Sequence, residues 1–262
     1  MSFKHITSRD NPIFKYYKKL TENARERRAA NQTLLDGVHL IEAYLATFGE
    51  PEVIIIPEGK STPEATSLIQ SLEHISTVML PTLMFAELTP VTHATGILAL
   101  VKIPQLELPQ NSNFVLMLED IQDPGNLGSM LRTAAAAGID AVYLSTSCTD
   151  AWSPKALRGG QGAQFVLPII ERVDLIQALN EFQGNSYATV MEGESLYKQD
   201  LSGATAFVFG NEGAGLRKQT IQATTKQVTI PMAAGRGHSV ESLNAGAAAA
   251  ICLFERKRQA EN

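Results

Sequence analysis

Short apolar runs alternate with amphipathic stretches along most of the chain, and the alternation falls into two parts. In the first, residues 53–56 (Val-Ile-Ile-Ile) make a buried-strand candidate closed by Pro57, and residues 77–80 and 96–101 are further strand candidates. Apolar spacing of three and four residues predicts helices over 39–47 and 65–72. The stretch 11–30 reads as helical too, with Asn11-Pro12 as its start signal. Residues 102–113 hold Pro104 and Pro109 and show no apolar period, which marks a linker.

The part that follows repeats a simpler theme. Strand candidates at 114–118, 141–145, 166–170, 187–191, 206–209 and 227–230 are interleaved with helix candidates at 126–137, 173–182, 216–223 and 242–258. That order predicts an α/β fold with a mostly parallel sheet covered on both faces. The expected division is a small α/β unit over 1–101, the linker, and a larger α/β unit over 114–262.

Composition narrows the classes. A hydrophobic content of 44% with 19% charged residues is ordinary for a globular protein. No apolar run reaches the roughly 18 residues of a membrane span, so no membrane partner is expected. The N-terminus lacks the apolar core of a signal peptide. Cys148 and Cys252 are too few and too distant for a disulfide framework or a zinc site. His5, His39, His74 and His93 show no ligand-like spacing, so no metal is expected, and the default setting is the cytoplasm.

A net charge of −5 argues against nucleic acid as a partner until its distribution is considered. Residues 1–30 carry eight Lys and Arg against three acids, whereas the other 232 residues carry 14 against 24. The N-terminal stretch is either a phosphate-seeking patch or a solvated helix face.

Candidate chemistry sits in the loops after three strands, where open α/β sheets collect their ligands. After 114–118, Pro124-Gly125 makes a turn and Asn126 stands where a helix N-cap is expected. Arg132, six residues on, is placed roughly on the same side of that helix, so that both residues face the strand ends. The plainer alternative is a capped helix with a solvent-facing arginine.

After 206–209 comes Gly210-Asn211-Glu212-Gly213-Ala214-Gly215, whose glycines permit a sharp turn close to a ligand. The glycine order is not the dinucleotide fingerprint and no Walker A pattern occurs, which weighs against a nicotinamide dehydrogenase and a nucleotide triphosphatase. Glu212 suits a cationic or hydroxyl-bearing ligand better than a phosphate. After 227–230, Pro231 and Met232 lead through Gly235, Arg236, Gly237 and His238 to Ser242, a cap candidate for an alanine-rich helix suited to close packing. Trp152 either stacks on a base or packs beside Pro154.

Taken together, Asp123-Pro-Gly-Asn-Leu-Gly-Ser-Met-Leu-Arg132, Phe209-Gly-Asn-Glu-Gly213 and Ile230-Pro-Met232 with Ser242-Leu-Asn244 resemble, in order, the three motifs of the SpoU (TrmH-type) branch of the SPOUT RNA methyltransferases. The first part is similar, more loosely, to the L30e-like RNA-binding domain that precedes the catalytic unit in many members, through Ser8–Pro12, Lys15 and Leu34–Gly37.

The resemblance implies S-adenosylmethionine as cofactor, 2′-O-methylation of a ribose, a C-terminal trefoil knot and a homodimer with shared active sites. It implies ribosomal RNA as the substrate, with transfer RNA as the alternative; a non-catalytic RNA-binding assembly factor is the rival from another class. Carried over by position, Gly210, Asn211, Glu212, Gly213, Ile230, Met232 and Leu243 hold the cofactor, and Asn126, Arg132, Glu212, Ser242 and Asn244 line the reaction site. Arg9, Lys15, Lys18, Lys19, Arg27, Arg28 and Arg158 are assigned to RNA. On this reading the basic N-terminal stretch holds the RNA backbone, so that deleting residues 1–30 weakens RNA binding and spares the cofactor. The loop between Met232 and Ser242 is longer than is usual in the family, Asp36 replaces a common glutamate, and Ala245 a common valine.

Overall fold

The computed structural model describes residues 3–59, 61–89, 96–233 and 242–261. His93 and the loop residues Gly235, Arg236, Gly237 and His238, singled out above, lie outside the described residues. The chain divides into two compact units: residues 1–105 together with 152–165, and residues 106–151 together with 166–262.

The first unit opens with β1 (Phe3–His5), α1 (Pro12–Glu22) and α2 (Ala24–Ala30), and continues through β2 (Gln32–Asp36), α3 (Val38–Phe48), β3 (Val53–Pro57), α4 (Pro63–Ser71), β4 (Thr77–Leu80), α5 (Thr82–Ala86) and β5 (Leu98–Lys102). Its five strands lie in the order β1-β4-β3-β5-β2, with β5 antiparallel to both of its neighbours. Asn11 caps α1 by accepting from the Ile13 amide at 2.9 Å, as the Asn-Pro start signal requires.

The single helix expected over 11–30 is two helices. Asn23 adopts an extended backbone and its side chain accepts from Arg25 and Glu26, which ends α1 and starts α2. Phe14, Tyr17 and Leu20 of α1 belong to the core, together with Ile6, Leu34, Ile55 and Leu98. Residues 3–30 are therefore built into the core of the first unit.

The second unit begins with β6 (Phe114–Leu118), α6 (Pro124–Ala137) and β7 (Ala141–Ser145). The chain then contributes α7 (Pro154–Gly160) and a 3-10 turn, Ala163–Phe165, to the first unit. The sequence places this segment in the second unit. Its contacts explain the difference: the Thr33 hydroxyl donates to the Trp152 carbonyl at 2.7 Å, and Phe165 meets Tyr44 and Phe48 edge-on. Trp152 is buried, so it packs locally and does not offer a face to a base.

The second unit resumes with β8 (Ile169–Val173), α8 (Leu175–Glu181), β9 (Asn185–Ser195), β10 (Thr205–Phe209), α9 (Lys218–Ala223), β11 (Lys226–Thr229) and α10 (Ala245–Ala260). Its strands lie in the order β11-β9-β10-β6-β7-β8, and every pairing among the described residues is parallel. β6 and β10 are buried along their whole length, the signature of a sheet covered on both faces. Val115, Met117, Ala206 and Val208 pack against Leu175 and Leu179 of α8. α10 packs on α6, where Gly246 lies so near Ser129 that an added Cβ would stand 3.2 Å from its hydroxyl. The small residues of α10 thus serve close packing within the chain. No helix among the described residues is long and apolar enough to cross a membrane.

Candidate active site

The strand ends of β6, β9, β10 and β11 deliver the loops that matter. Asp123, not Asn126, caps α6: its carboxylate accepts from the Asn126 amide at 2.8 Å, and the helix starts at Pro124. This correction frees the Asn126 side chain. Its Nδ2 donates to Glu212 Oε1 at 3.1 Å, and its Oδ1 accepts from Asn244 Nδ2 at 3.2 Å. Three segments separated by 86 and 118 residues are joined by these two bonds.

Asn244, not Ser242, caps α10, with Oδ1 accepting from the amides of Gly246 and Ala247 at 2.9 and 3.3 Å. Donors and acceptors therefore run one way: α10 amides to Asn244, Asn244 to Asn126, Asn126 to the Glu212 carboxylate. Each asparagine is held with its amide facing one direction, and the series ends on an anion.

The glycine loop after β10 folds back on itself. Asn211 and Gly215 form an isolated antiparallel bridge, and Asn211 Oδ1 accepts from the amides of Gly213 and Ala214 at 2.9 Å each. Asn211 Nδ2 donates to the Asp120 carbonyl at 2.9 Å, which ties the loop to the end of β6. A Cβ at Gly210 would stand 2.3 Å from the Gly215 backbone, so only glycine fits beneath the returning chain.

Beside this loop lies a cavity of about 940 Å³, within the second unit. Gly210, Asn211, Glu212, Gly213, Ile230, Met232, Ser242 and Leu243 all line it, so every residue assigned to the cofactor borders one space. Ala245, Ala248 and Cys252 of α10 form part of its wall, and burial pushes the Cys252 thiol up to about 12.

Thr189, Val190 and Met191 line it as well and were missed by the sequence reading. They belong to a bulge in β9: Gln227 of β11 pairs with Ala188 and the next residue, Val228, with Glu194. Of the skipped residues, Thr189, Val190 and Met191 border the cavity, fixed by Thr189 donating to the Val208 carbonyl and Thr229 to that of Met191. Gly193, inside the bulge, is its one local signal: an added Cβ there would stand 3.0 Å from the Gln227 carbonyl oxygen of β11.

Arg132 stands apart. It lies on the exposed side of α6 and makes no side-chain hydrogen bond or ion pair among the described residues. Six residues of helix carry it about 120° around the axis from Asn126, so the two do not share a face as the sequence reading expects.

The residues assigned to RNA divide. Arg27 is 3% exposed and donates to the carbonyls of Leu20 and Thr21 at 2.5 and 3.2 Å. It holds α2 to the end of α1, where no phosphate can reach it, and its RNA assignment is withdrawn. Arg9 and Lys18 share Glu87, whose carboxyl they hold below its usual range, and Lys15 pairs with Asp10. Lys19 and Arg28 are exposed and have no side-chain partner among the described residues. Arg158 reaches Asp36 at 4.0 Å, and Asp36 also accepts from the Thr89 hydroxyl.

With this geometry in place, the likenesses to other proteins become informative. The model of the SpoU rRNA methylase family matches residues 113–254. The chain is 33% identical over 256 residues to a 23S rRNA guanosine 2′-O-methyltransferase, RlmP, of Bacillus subtilis, covering 96% of this chain and 98% of that one. Among solved structures, an RNA 2′-O ribose methyltransferase superposes with a TM-score of 0.83 at 28% identity, over 98% of this chain and 100% of the other. An S-adenosylmethionine-bound rRNA methyltransferase from Sinorhizobium meliloti gives 0.80 at 25% identity, over 98% of each chain.

Proposed function

Because the chain belongs to the SpoU rRNA methylase family, we propose that it methylates a ribose 2′-hydroxyl of ribosomal RNA with S-adenosylmethionine as the methyl donor. The observation that carries this reading is the Glu212–Asn126–Asn244 series, which joins three distant segments beside a cavity that Glu212, Ser242 and Leu243 line.

The cavity suits the cofactor. Its volume lies within the range of about 300–1,000 Å³ usual for small-molecule sites. Val190, Met191, Ile230, Met232 and Leu243 offer apolar surface to an adenine, the backbone of residues 210–213 offers polar edges, and Glu212 supplies a carboxylate for a positive sulfur. Bound there, S-adenosylmethionine supplies an electrophilic methyl group, chemistry that needs no metal.

The chain's own task is then alignment and charge stabilisation. Asn126, Ser242 and Asn244 orient the ribose, and such positioning is worth up to about 7–11 kcal/mol of barrier. Arg132 is a poor base, since a guanidinium is a donor-only group. It grips a phosphate and stabilises negative charge developing on the 2′-oxygen. The hydroxyl proton leaves to phosphate or water.

RNA is favoured over DNA because only RNA carries the 2′-hydroxyl. We assign RNA binding to the first unit, an L30e-like domain, through Lys19, Arg28, Arg9, Lys15 and Lys18, with Arg158 as a further contact. The second unit is assigned a trefoil knot at its C-terminal end, and the protein a homodimer in the cytoplasm. A dimer accounts for Arg132: exposed and turned away from its own Asn126, it is free to complete the site of a partner.

The test is direct. Purified protein is incubated with ribosomal RNA and methyl-labelled S-adenosylmethionine, and the RNA is digested to nucleosides. Label in a ribose-methylated nucleoside supports the proposal; label on a base, or none, overturns it.

A further inference from the structure

Glu119, the first residue past β6, is fully buried and carries a charge that the reaction does not use. Its carboxylate accepts from the Arg217 amide at 2.7 Å, from Arg217 Nε at 2.9 Å, from Arg217 Nη2 at 2.8 Å, and from the buried Thr220 hydroxyl. Its own amide donates to the Phe209 carbonyl at 2.8 Å, immediately before Gly210. The neighbouring Asp120 carbonyl accepts from Asn211.

Two consecutive residues leaving β6 therefore grip the two ends of the glycine loop. Asp120 holds its start at Asn211, and Glu119 holds its end at Arg217 and Thr220. Between these anchors run the residues that border the cavity. Arg217 keeps more than half of its side chain in solvent, so the pair has one buried and one hydrated partner. Hydrogen bonding to Glu119 raises the Arg217 guanidinium above its usual range. Both guanidinium contacts end on Oε1 and the Arg217 amide takes Oε2, so the charge-assisted contact fixes direction as well as distance.

We propose that Glu119 is a positioning residue for the cofactor: clamped to Arg217 and Thr220, it holds Gly210–Leu216 in the closed turn that S-adenosylmethionine binds. The inference rests on the functional reading above, but its structural half can be judged without it.

The experiment compares the full-length wild type with Glu119→Gln, which keeps size and removes charge. Without ligand, hydrogen exchange is expected to accelerate at the amides of residues 211–217 and to stay slow in β6 and β10. In calorimetry, Kd for S-adenosylmethionine is expected to rise about tenfold or more, as loss of a charge-assisted contact implies. In turnover, KM for S-adenosylmethionine rises with kcat at saturation within about threefold, the pattern of lost uniform binding.

Unchanged affinity in a folded Glu119→Gln protein overturns the proposal. So does exchange that rises as much in β6 as in the loop, because Glu119 would then be a general core contact. If Glu119→Gln fails to fold, Arg217→Lys decides, since it keeps the charge and loses the fork: a raised Kd supports the clamp and a wild-type Kd refutes it. Should wild type itself not bind S-adenosylmethionine, the functional reading falls, while loop exchange in the unliganded proteins still judges the clamp.

Discussion

Asn244 has two duties at the entrance to α10, and they can be separated. Its Oδ1 caps the helix, and its Nδ2 donates to Asn126. Aspartate retains the cap, a good one beside a helix N-terminus, but has no proton to donate. Asn244→Asp is expected to keep Tm within a few degrees and to lower turnover at least about tenfold, as loss of one aligned contact implies; thermal melts and initial rates read the two effects, and undiminished turnover would remove Asn244 from the site. Arg132 gives the complementary case. Arg132→Ala is expected to leave S-adenosylmethionine affinity within about twofold while kcat/KM falls by about a hundredfold or more, as for a lost charge-stabilising donor. Equal losses in both would make Arg132 a cofactor contact. At this scale the sequence reading assigned two capping duties to the wrong residues. Asn126 and Ser242 both read as caps, yet Asp123 and Asn244 cap the helices, because a capping side chain must reach amides two or three residues ahead.

Elements were most legible where burial is two-sided and turns are sharp. β6 and β7 start and stop where their apolar runs do. β8 begins three residues later than its apolar pattern suggests, since Pro168 has no amide to give a ladder and the first pairing is Ile169 with Val142. β1, α5 and α7 are short, and their apolar residues match no period long enough to recognise. The bulge in β9 leaves one local trace, Gly193, a lone glycine in a strand that β11 approaches closely. α10 carries a prediction of its own. Glu255 accepts from Arg258 through two bonds and from Gln259, and these contacts hold its carboxyl down to about 2. A depressed folded-state value means that the stabilisation is present above the unfolded carboxyl range and disappears as pH falls toward 2. Glu255→Gln is expected to lower Tm at pH 7 by roughly 2–4 °C, the effect of about 1 kcal/mol in a chain of this size. The difference should shrink between about pH 4.5 and 2; a gap that is the same at both ends of that range would show that charge is not its source.

For the whole molecule, the two-part plan was legible from the alternation of apolar runs and from the linker, while the return of residues 152–165 to the first unit was not. That segment joins through Phe165 and the Trp152 carbonyl, contacts across more than a hundred residues that no local period encodes. The uneven charge, +5 in the first 30 residues of a chain at −5, is resolved only by the fold. It buries Arg27, pairs Arg9, Lys15 and Lys18 with acids, and leaves Lys19 and Arg28 exposed. Reversing Lys19 and Arg28 to glutamate is expected to weaken RNA binding about tenfold at low salt, less at high salt, and to leave S-adenosylmethionine binding unchanged. A salt-independent RNA affinity in the double variant equal to that of wild type would move the RNA surface elsewhere.

The central claim is that Asn126, Glu212 and Asn244 assemble one site that methylates a ribose of ribosomal RNA. Nucleoside mass spectrometry of ribosomal RNA from cells with the gene, without it, and with its Arg132→Ala form tests this most directly. The account predicts one 2′-O-methylated nucleoside present in the first and missing from the other two. Identical nucleoside profiles in all three, or loss of a base-methylated nucleoside instead, would contradict it.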